Sequence, residues 1–222
     1  MSDQNPELIT ELHDLACATA QEAAAMVLTH HGDLHDIDTK ASDVDIVTQI
    51  DRASEELISQ RLLAARPDDG IVGEEGTGVV TSSGVEWLVD PIDGTTSFFY
   101  GLPGFSISIA ARYQGQVVAG AVVAPATTTE YSAMLGRGAT MNGEPIRCRD
   151  TSELGKALIG TGFSPDHERR ARQGTHFAAI IAQIRDMRHH CRTGPGHWPR
   201  VCGRSYAGNR HRSGRVASRP EG

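Results

Sequence analysis

The run Trp87-Leu88-Val89-Asp90-Pro91-Ile92-Asp93-Gly94-Thr95-Thr96 joins an apolar strand to two carboxylates and a turn. Pro91 removes a backbone donor and pushes Asp90 out of the helical region, and Asp93-Gly94 begins a tight turn. Asp90 and Asp93 therefore converge at one strand end. Two unit charges 4 Å apart repel by roughly 4 kcal/mol at an effective dielectric near 20, so a divalent cation is the natural means of keeping both ionised. Hard carboxylate oxygens suit Mg2+, with Mn2+ as a substitute. Taken alone, Asp-Pro and Asp-Gly also read as plain turns.

Two stretches upstream give the pair company. Gly73-Glu74-Glu75-Gly76 follows another apolar strand and brings Glu74 toward the same cluster, although by itself such a string is a solvated loop. Asp45-Ile46-Val47-Thr48-Gln49-Ile50-Asp51 adds two acids and a hydroxyl at the entrance to a helix, where Asp51 alone would be a cap.

Further out, Leu8, Leu12, Leu15, Ala23 and Met26 share a three- and four-residue spacing, with Thr19 its polar entry, and predict an amphipathic helix over 6–31. A second helix is predicted from near Asp51, capped by Asp51 or Ser54, with Ile58, Leu62 and Leu63 on its apolar face and Pro67 as its stop. Strands are predicted over 70–73, 85–89, 105–113, 117–123 and 130–135 and around Asn142-Gly143. Gln114-Gly115 and Asn142-Gly143 are hairpin signals that favour antiparallel pairing. Phe105, Ile107 and Ile109 alternate with small or polar residues, as in a sheet with unequal faces. A strand over 158–163 and a helix opened by Ser164-Pro165-Asp166, with Phe177, Ile180, Ile181 and Ile184 on its buried side, complete an α+β order that turns into α/β.

No apolar run approaches the roughly 18 residues a membrane span needs, and the polar, acidic start is no signal sequence, so a cytoplasmic protein is expected. The four cysteines are irregularly spaced and read as free thiols. Charge divides sharply along the chain: residues 1–187 carry −14, whereas residues 188–222 carry +7 from eight arginines and one acid. An acidic body repels phosphate at long range, so an anionic substrate must meet a local positive centre such as a bound cation.

Lys40, the Asp45 to Asp51 stretch, Gly73-Glu74-Glu75 and Trp87 to Thr96 occur in the order and approximate spacing of the inositol monophosphatase family, which the chain resembles over roughly residues 6–187. The resemblance extends through Gly138-Ala139-Thr140-Met141-Asn142-Gly143 to Gly160-Thr161-Gly162-Phe163. It implies a layered αβαβα sugar-phosphatase fold, with an α+β lobe over 1–150 that carries the site and a partial α/β lobe over 151–187. It also implies that Glu74, Asp90, the main-chain carbonyl of Ile92 and Asp93 hold Mg2+, Asp90 bridging two ions. Gly94 and Thr95 would meet the phosphate with backbone N–H groups. The Thr95 hydroxyl, held by Asp51, would act with Glu74 on the attacking water, and Lys40, Asp45 and Thr48 would support them. The implied reaction is hydrolysis of a phosphate monoester of a small polyol or sugar, inositol monophosphate by default. Histidinol phosphate, fructose 1,6-bisphosphate and 3′-phosphoadenosine nucleotides are the alternatives. Lithium sensitivity and a homodimer follow from the same resemblance.

The chain departs from the family toward its end. It contains no Trp-Asp-x-Ala-Ala-Gly-like motif, whose Asp would complete the second cation site, so one weakly bound Mg2+ and poor or no hydrolysis are expected. Residues 188–222 hold no Leu, Ile, Met or Phe. Such a segment lacks the apolar surface to offset conformational entropy, so a disordered tail is expected, either a natural basic tail or, the favoured reading, the product of a shifted reading frame in place of the true lobe. A competing reading keeps the scaffold without catalysis and lets the arginines bind RNA or an acidic protein. No aromatic interleaving accompanies them, so a nucleic-acid partner is not expected.

Overall fold

A computed structural model describes residues 5–31, 43–73, 81–148, 151–164 and 166–189, with backbone alone for 43–48 and 188–189. The described residues fall into two compact units that divide between Ile146 and Arg147.

The first unit is a seven-stranded sheet with two long helices. Helix α1 spans Pro6–Leu28 and starts cleanly: Asn5 caps it by accepting from the N–H groups of Glu7 and Leu8, and Pro6 occupies the first turn, where a missing donor costs nothing. Its buried face is Ile9, Leu12, Ala16, Thr19, Ala20, Ala23, Ala24 and Val27, whereas Leu8, Leu15 and Met26 are only partly buried. The stripe is thus centred one residue beyond the predicted one. Its alanines, weak in hydropathy but small, let the helix lie close to the sheet.

Helix α2 spans Asp43–Ala65 and so begins eight residues before the predicted start. Asp51 and Ser54 are interior residues, not caps. The buried ladder Ile50, Ser54, Ile58, Leu62 repeats every four residues and already runs before Asp51. The β-branched Val44, Ile46 and Val47 have poor helix propensity, which hides the start from a local reading.

Strands β1 (Gly70–Val72), β2 (Val85–Asp93), β3 (Ser106–Tyr113), β4 (Gln116–Ala124), β5 (Thr129–Met134), β6 (Gly138–Met141) and β7 (Glu144–Ile146) lie side by side in sequence order. From β2 onward every pairing is antiparallel. The exception to the predicted antiparallel habit is β1, which runs parallel to β2 with Val72 opposite Leu88. The connection over 73–84 is long enough for a crossover. Both hairpin signals make turns with two successive positive φ angles, 48° and 81° at Gln114-Gly115 and 50° and 81° at Asn142-Gly143. This mirror-image turn matches the twist of the flanking strands.

Strand β3 is buried along its whole middle, from Ile107 through Ser108, Ile109, Ala110 and Ala111. Its alternation therefore separates large side chains from small ones rather than a buried face from a wet one. Trp87, Phe98, Phe105, Leu12, Ile58 and Leu62 are the largest fully enclosed side chains. Each contributes on the order of 1.5–3 kcal/mol by leaving water.

The second unit, described by itself, pairs β8 (Leu158–Thr161) in parallel with β9 (Asp186–His189). Helix α4 (His167–Ile180) connects them, capped by Asp166, which accepts from the Arg169 N–H at 2.7 Å. Strand β9 carries regular pairing past residue 187, two residues into the stretch expected to be disordered; residues 190–222 lie outside the described residues. None of the residues of α4 is buried. Of its predicted apolar side, Phe177 and Ile180 are half-buried, Ile181 is exposed, and Ile184 is buried only after the helix has ended. The first turns of α4 are too polar, His-Glu-Arg-Arg-Ala-Arg-Gln, for a stripe to run its whole length. No helix among the described residues is long and apolar enough to cross a membrane.

Candidate metal and phosphate site

The site residues sit where β2 ends. Asp90 pairs with Ser108 and Asp93 with Ser106, so three steps on β2 face two on β3. The extra residue is a β-bulge, and Pro91 explains its position: a residue without an N–H cannot serve a regular interior ladder. The strand therefore continues to Asp93, four residues past its predicted end. Asp90 is half-buried, with one carboxylate oxygen closed off from solvent, and Asp93 is 5 % exposed.

Two hydroxyls grip the main chain between these acids. The Thr95 Oγ1 donates to the Ile92 carbonyl at 3.1 Å, and the Ser54 Oγ, from α2, donates to the Pro91 carbonyl at 3.2 Å. Gly94 follows at φ 93°, ψ 36°, a left-handed conformation in which a side chain would be strained. Gly94 precedes helix α3 (Thr95–Phe99), and its carbonyl accepts from the Phe98 N–H at 3.0 Å. Asp90, Ile92, Asp93, Gly94 and Thr95 are thereby held consecutively at one strand-to-helix junction.

The other end of the strand is fixed by a residue that sequence reasoning passed over. Asp69 is 1 % exposed and accepts from Arg66 Nε (2.6 Å) and Trp87 Nε1 (2.9 Å) on one oxygen. Its other oxygen accepts from Ser83 Oγ (2.6 Å) and Arg66 Nη2 (3.3 Å). Arg66 also donates to Glu11 on α1 at 2.7 Å. Burial opposes the Arg66 charge, but the hydrogen bonds and charges of Asp69 and Glu11 outweigh it and hold the guanidinium above its ordinary range. The only local clue was the i,i+3 pairing of a base and an acid in Arg66-Pro-Asp-Asp69.

Helix α2 brings Asp51, half-buried, on the same face as Ser54. Glu55, also missed, lies against Gly73; a Cβ there would collide with Glu55 Oε1. Lys40 and Glu74 fall outside the described residues, as do the side chains of Asp45 and Thr48. Among the described residues no group of three or more ligating side chains comes together. Asp90, Asp93 and the Ile92 carbonyl nevertheless make a set of hard oxygen donors on a rigid bulge, which fits a hard cation.

A family model described as inositol monophosphatase matches residues 8–206, extending past residue 187, where the resemblance seen in the sequence stopped. The chain is 38 % identical over 196 residues to the inositol-1-monophosphatase SuhB of Mycobacterium tuberculosis strain H37Rv, covering 80 % of this chain and 68 % of that protein. It is 36 % identical over 153 residues to a fructose-1,6-bisphosphatase/inositol-1-monophosphatase of Thermotoga maritima, covering 69 % of this chain and 59 % of the relative. The solved structure of Mycobacterium tuberculosis SuhB superposes with a TM-score of 0.70 at 38 % identity, over 82 % of this chain and 69 % of that one. The layered mixed α/β fold is therefore shared.

Proposed function

The chain belongs to the inositol monophosphatase family, and from that premise we propose that it is a Mg2+-dependent phosphatase acting on a small phosphate monoester, inositol monophosphate first. Fructose 1,6-bisphosphate is the second candidate, since the name of the Thermotoga maritima relative couples both activities. The observation that carries the reading is the bulge that holds Asp90 and Asp93 on one strand end directly before a left-handed Gly94.

In this proposal Glu74, Asp90, Asp93 and the Ile92 carbonyl would hold the cation, with Lys40, Asp45 and Thr48 in support. Bound Mg2+ lowers the pKa of a coordinated water and stabilises a leaving oxygen. The remaining work belongs to the chain. The main-chain N–H groups of Gly94 and Thr95 donate to the phosphate. The Thr95 hydroxyl gives its hydrogen to the Ile92 carbonyl and not to Asp51, as the resemblance had implied, so in this proposal its lone pairs orient the attacking water, Glu74 takes up the proton and Asp51 assists from α2. Lithium inhibition and pairing as a homodimer belong to the same reading. Because the sequence has no Trp-Asp-x-Ala-Ala-Gly-like motif, turnover is expected to be slow.

The test is release of inorganic phosphate from inositol 1-phosphate by the purified chain. Slow release that requires Mg2+ or Mn2+ and disappears in Asp90→Asn and Asp93→Asn supports the proposal. Release indifferent to a chelator or to both substitutions, or no release at all, contradicts it.

A further inference from the structure

Ser54 stands in the buried ladder of α2 between Ile50 and Ile58, at a position where an aliphatic residue would pack, and it is 0 % exposed. Enclosing a hydroxyl costs free energy unless it is bonded. A helical serine ordinarily satisfies itself on the carbonyl four residues back, but a hydroxyl has one hydrogen, and here that hydrogen goes to the Pro91 carbonyl, 37 residues away.

The acceptor is as telling as the donor. Pro91 lies in the bulge, where the ladder is broken and a main-chain carbonyl must find a partner elsewhere. The peptide unit is planar, so fixing the Pro91 carbonyl also fixes the Ile92 N–H and the dihedrals on either side. Thr95 fixes the next plane in the same way through the Ile92 carbonyl. Two hydroxyls thus pin two of the three successive peptide planes that separate Asp90 from Asp93. Ser54 reaches this bulge from the helix face that also carries Asp51, three residues earlier.

We propose that Ser54 is a positioning residue: through the Pro91 carbonyl it sets how Asp90 and Asp93 are presented to a cation, and it ties the Asp51 face of α2 to that geometry. This rests on the phosphatase reading above for its cation, and on geometry alone for its clamp.

The experiment compares the full chain with Ser54→Ala and Ser54→Thr by amide hydrogen exchange and by Mn2+ titration followed through water-proton relaxation. Ser54→Ala is expected to speed exchange at Ile92, Asp93 and Gly94 by roughly 5- to 10-fold, the size of one hydrogen bond's net contribution, while Ala119 and Ala121 in β4 stay unchanged. Mn2+ affinity falls severalfold with it, and Ser54→Thr, which keeps the hydroxyl, recovers both. Uniformly faster exchange across the sheet would reduce Ser54 to a packing residue and overturn the proposal, as would unchanged exchange at the bulge. Mn2+ affinity unaltered in Ser54→Ala while the parent chain binds Mn2+ would also overturn it. A parent chain that binds no Mn2+ defeats the phosphatase reading instead; the exchange data then decide the clamp by themselves. If Ser54→Thr overpacks the site, Ser54→Cys, near in size and a weak donor, should lie between parent and alanine, and a cysteine variant equal to alanine in every reading counts against the clamp.

Discussion

At Trp87, strand β2 is held by a buried acid, Asp69, whose two oxygens each accept two hydrogen bonds. At Pro91 and Ile92 the same strand is held through its main-chain carbonyls, by the hydroxyls of Ser54 and Thr95. Both ends carry enclosed carboxylates, yet they are built for different ends. Asp69 is matched inside the protein by a guanidinium, an indole and a hydroxyl, and it joins the start of β1, the 81–84 turn and β2. Asp90 and Asp93 are set in place by the backbone between them. One end uses an acid to fix the fold, and the other uses the fold to fix a pair of acids.

The largest effect is expected where the acid is structural. Asp69→Ala leaves the mostly buried Arg66 without its main partner and should destabilise the chain by about 3–5 kcal/mol in urea unfolding. A loss below about 1 kcal/mol would mean that the network is ornamental and the contrast is wrong. Trp87→Phe removes one of the four hydrogen bonds to Asp69 and leaves a smaller ring in an enclosed site, so a loss of about 1–3 kcal/mol is expected, mostly from the space left behind because Arg66 Nε still serves the same oxygen. Glu11→Gln trims only the exposed rim of the Arg66 network and should cost no more than about 1 kcal/mol.

Cys17, on α1, reports whether damage at the Trp87 end spreads to the helix. Its thiol is pushed up from 9.0 to about 12 by burial and, next, by the charge of Glu130. Folding therefore favours the neutral thiol. That contribution is complete below pH 9.0 and is lost as pH rises toward 12. At pH 8, alkylation of Cys17 is expected to lag that of the exposed Cys148, and Asp69→Ala should narrow the gap. Equal rates in the parent chain would contradict the enclosure of α1.

Much of this was legible in the sequence because it depends on neighbours in the chain. Gln114-Gly115 and Asn142-Gly143 make the turns their φ preferences require, and Asp90-Pro91 marks the place where the regular ladder breaks, although the strand itself runs on through the bulge to Asp93. What escaped depends on partners far away. Asp69 looks like one more solvent-facing acid in Pro-Asp-Asp-Gly until Ser83 and Trp87 are brought to it. Ser54 looks like a cap until the ladder of α2 and the bulge of β2 are both in hand. The start of α2 was hidden by β-branched residues whose local preference opposes the helix they join. The parallel pairing of β1 was hidden because its short apolar run says nothing of direction. In the second unit, α4 showed apolar residues near its end but no continuous stripe, and the predicted buried side fell apart at Ile181.

If the bulge of β2 presents Asp90 and Asp93 to hard cations, both carboxylates must reach the same metal-binding region. Crystals of the chain soaked in Mn2+ and measured at the manganese absorption edge test it most directly. An anomalous peak is expected within about 2.5 Å of carboxylate oxygens from both Asp90 and Asp93. Manganese bound elsewhere while these two side chains diverge, each turned away from the other, would contradict it.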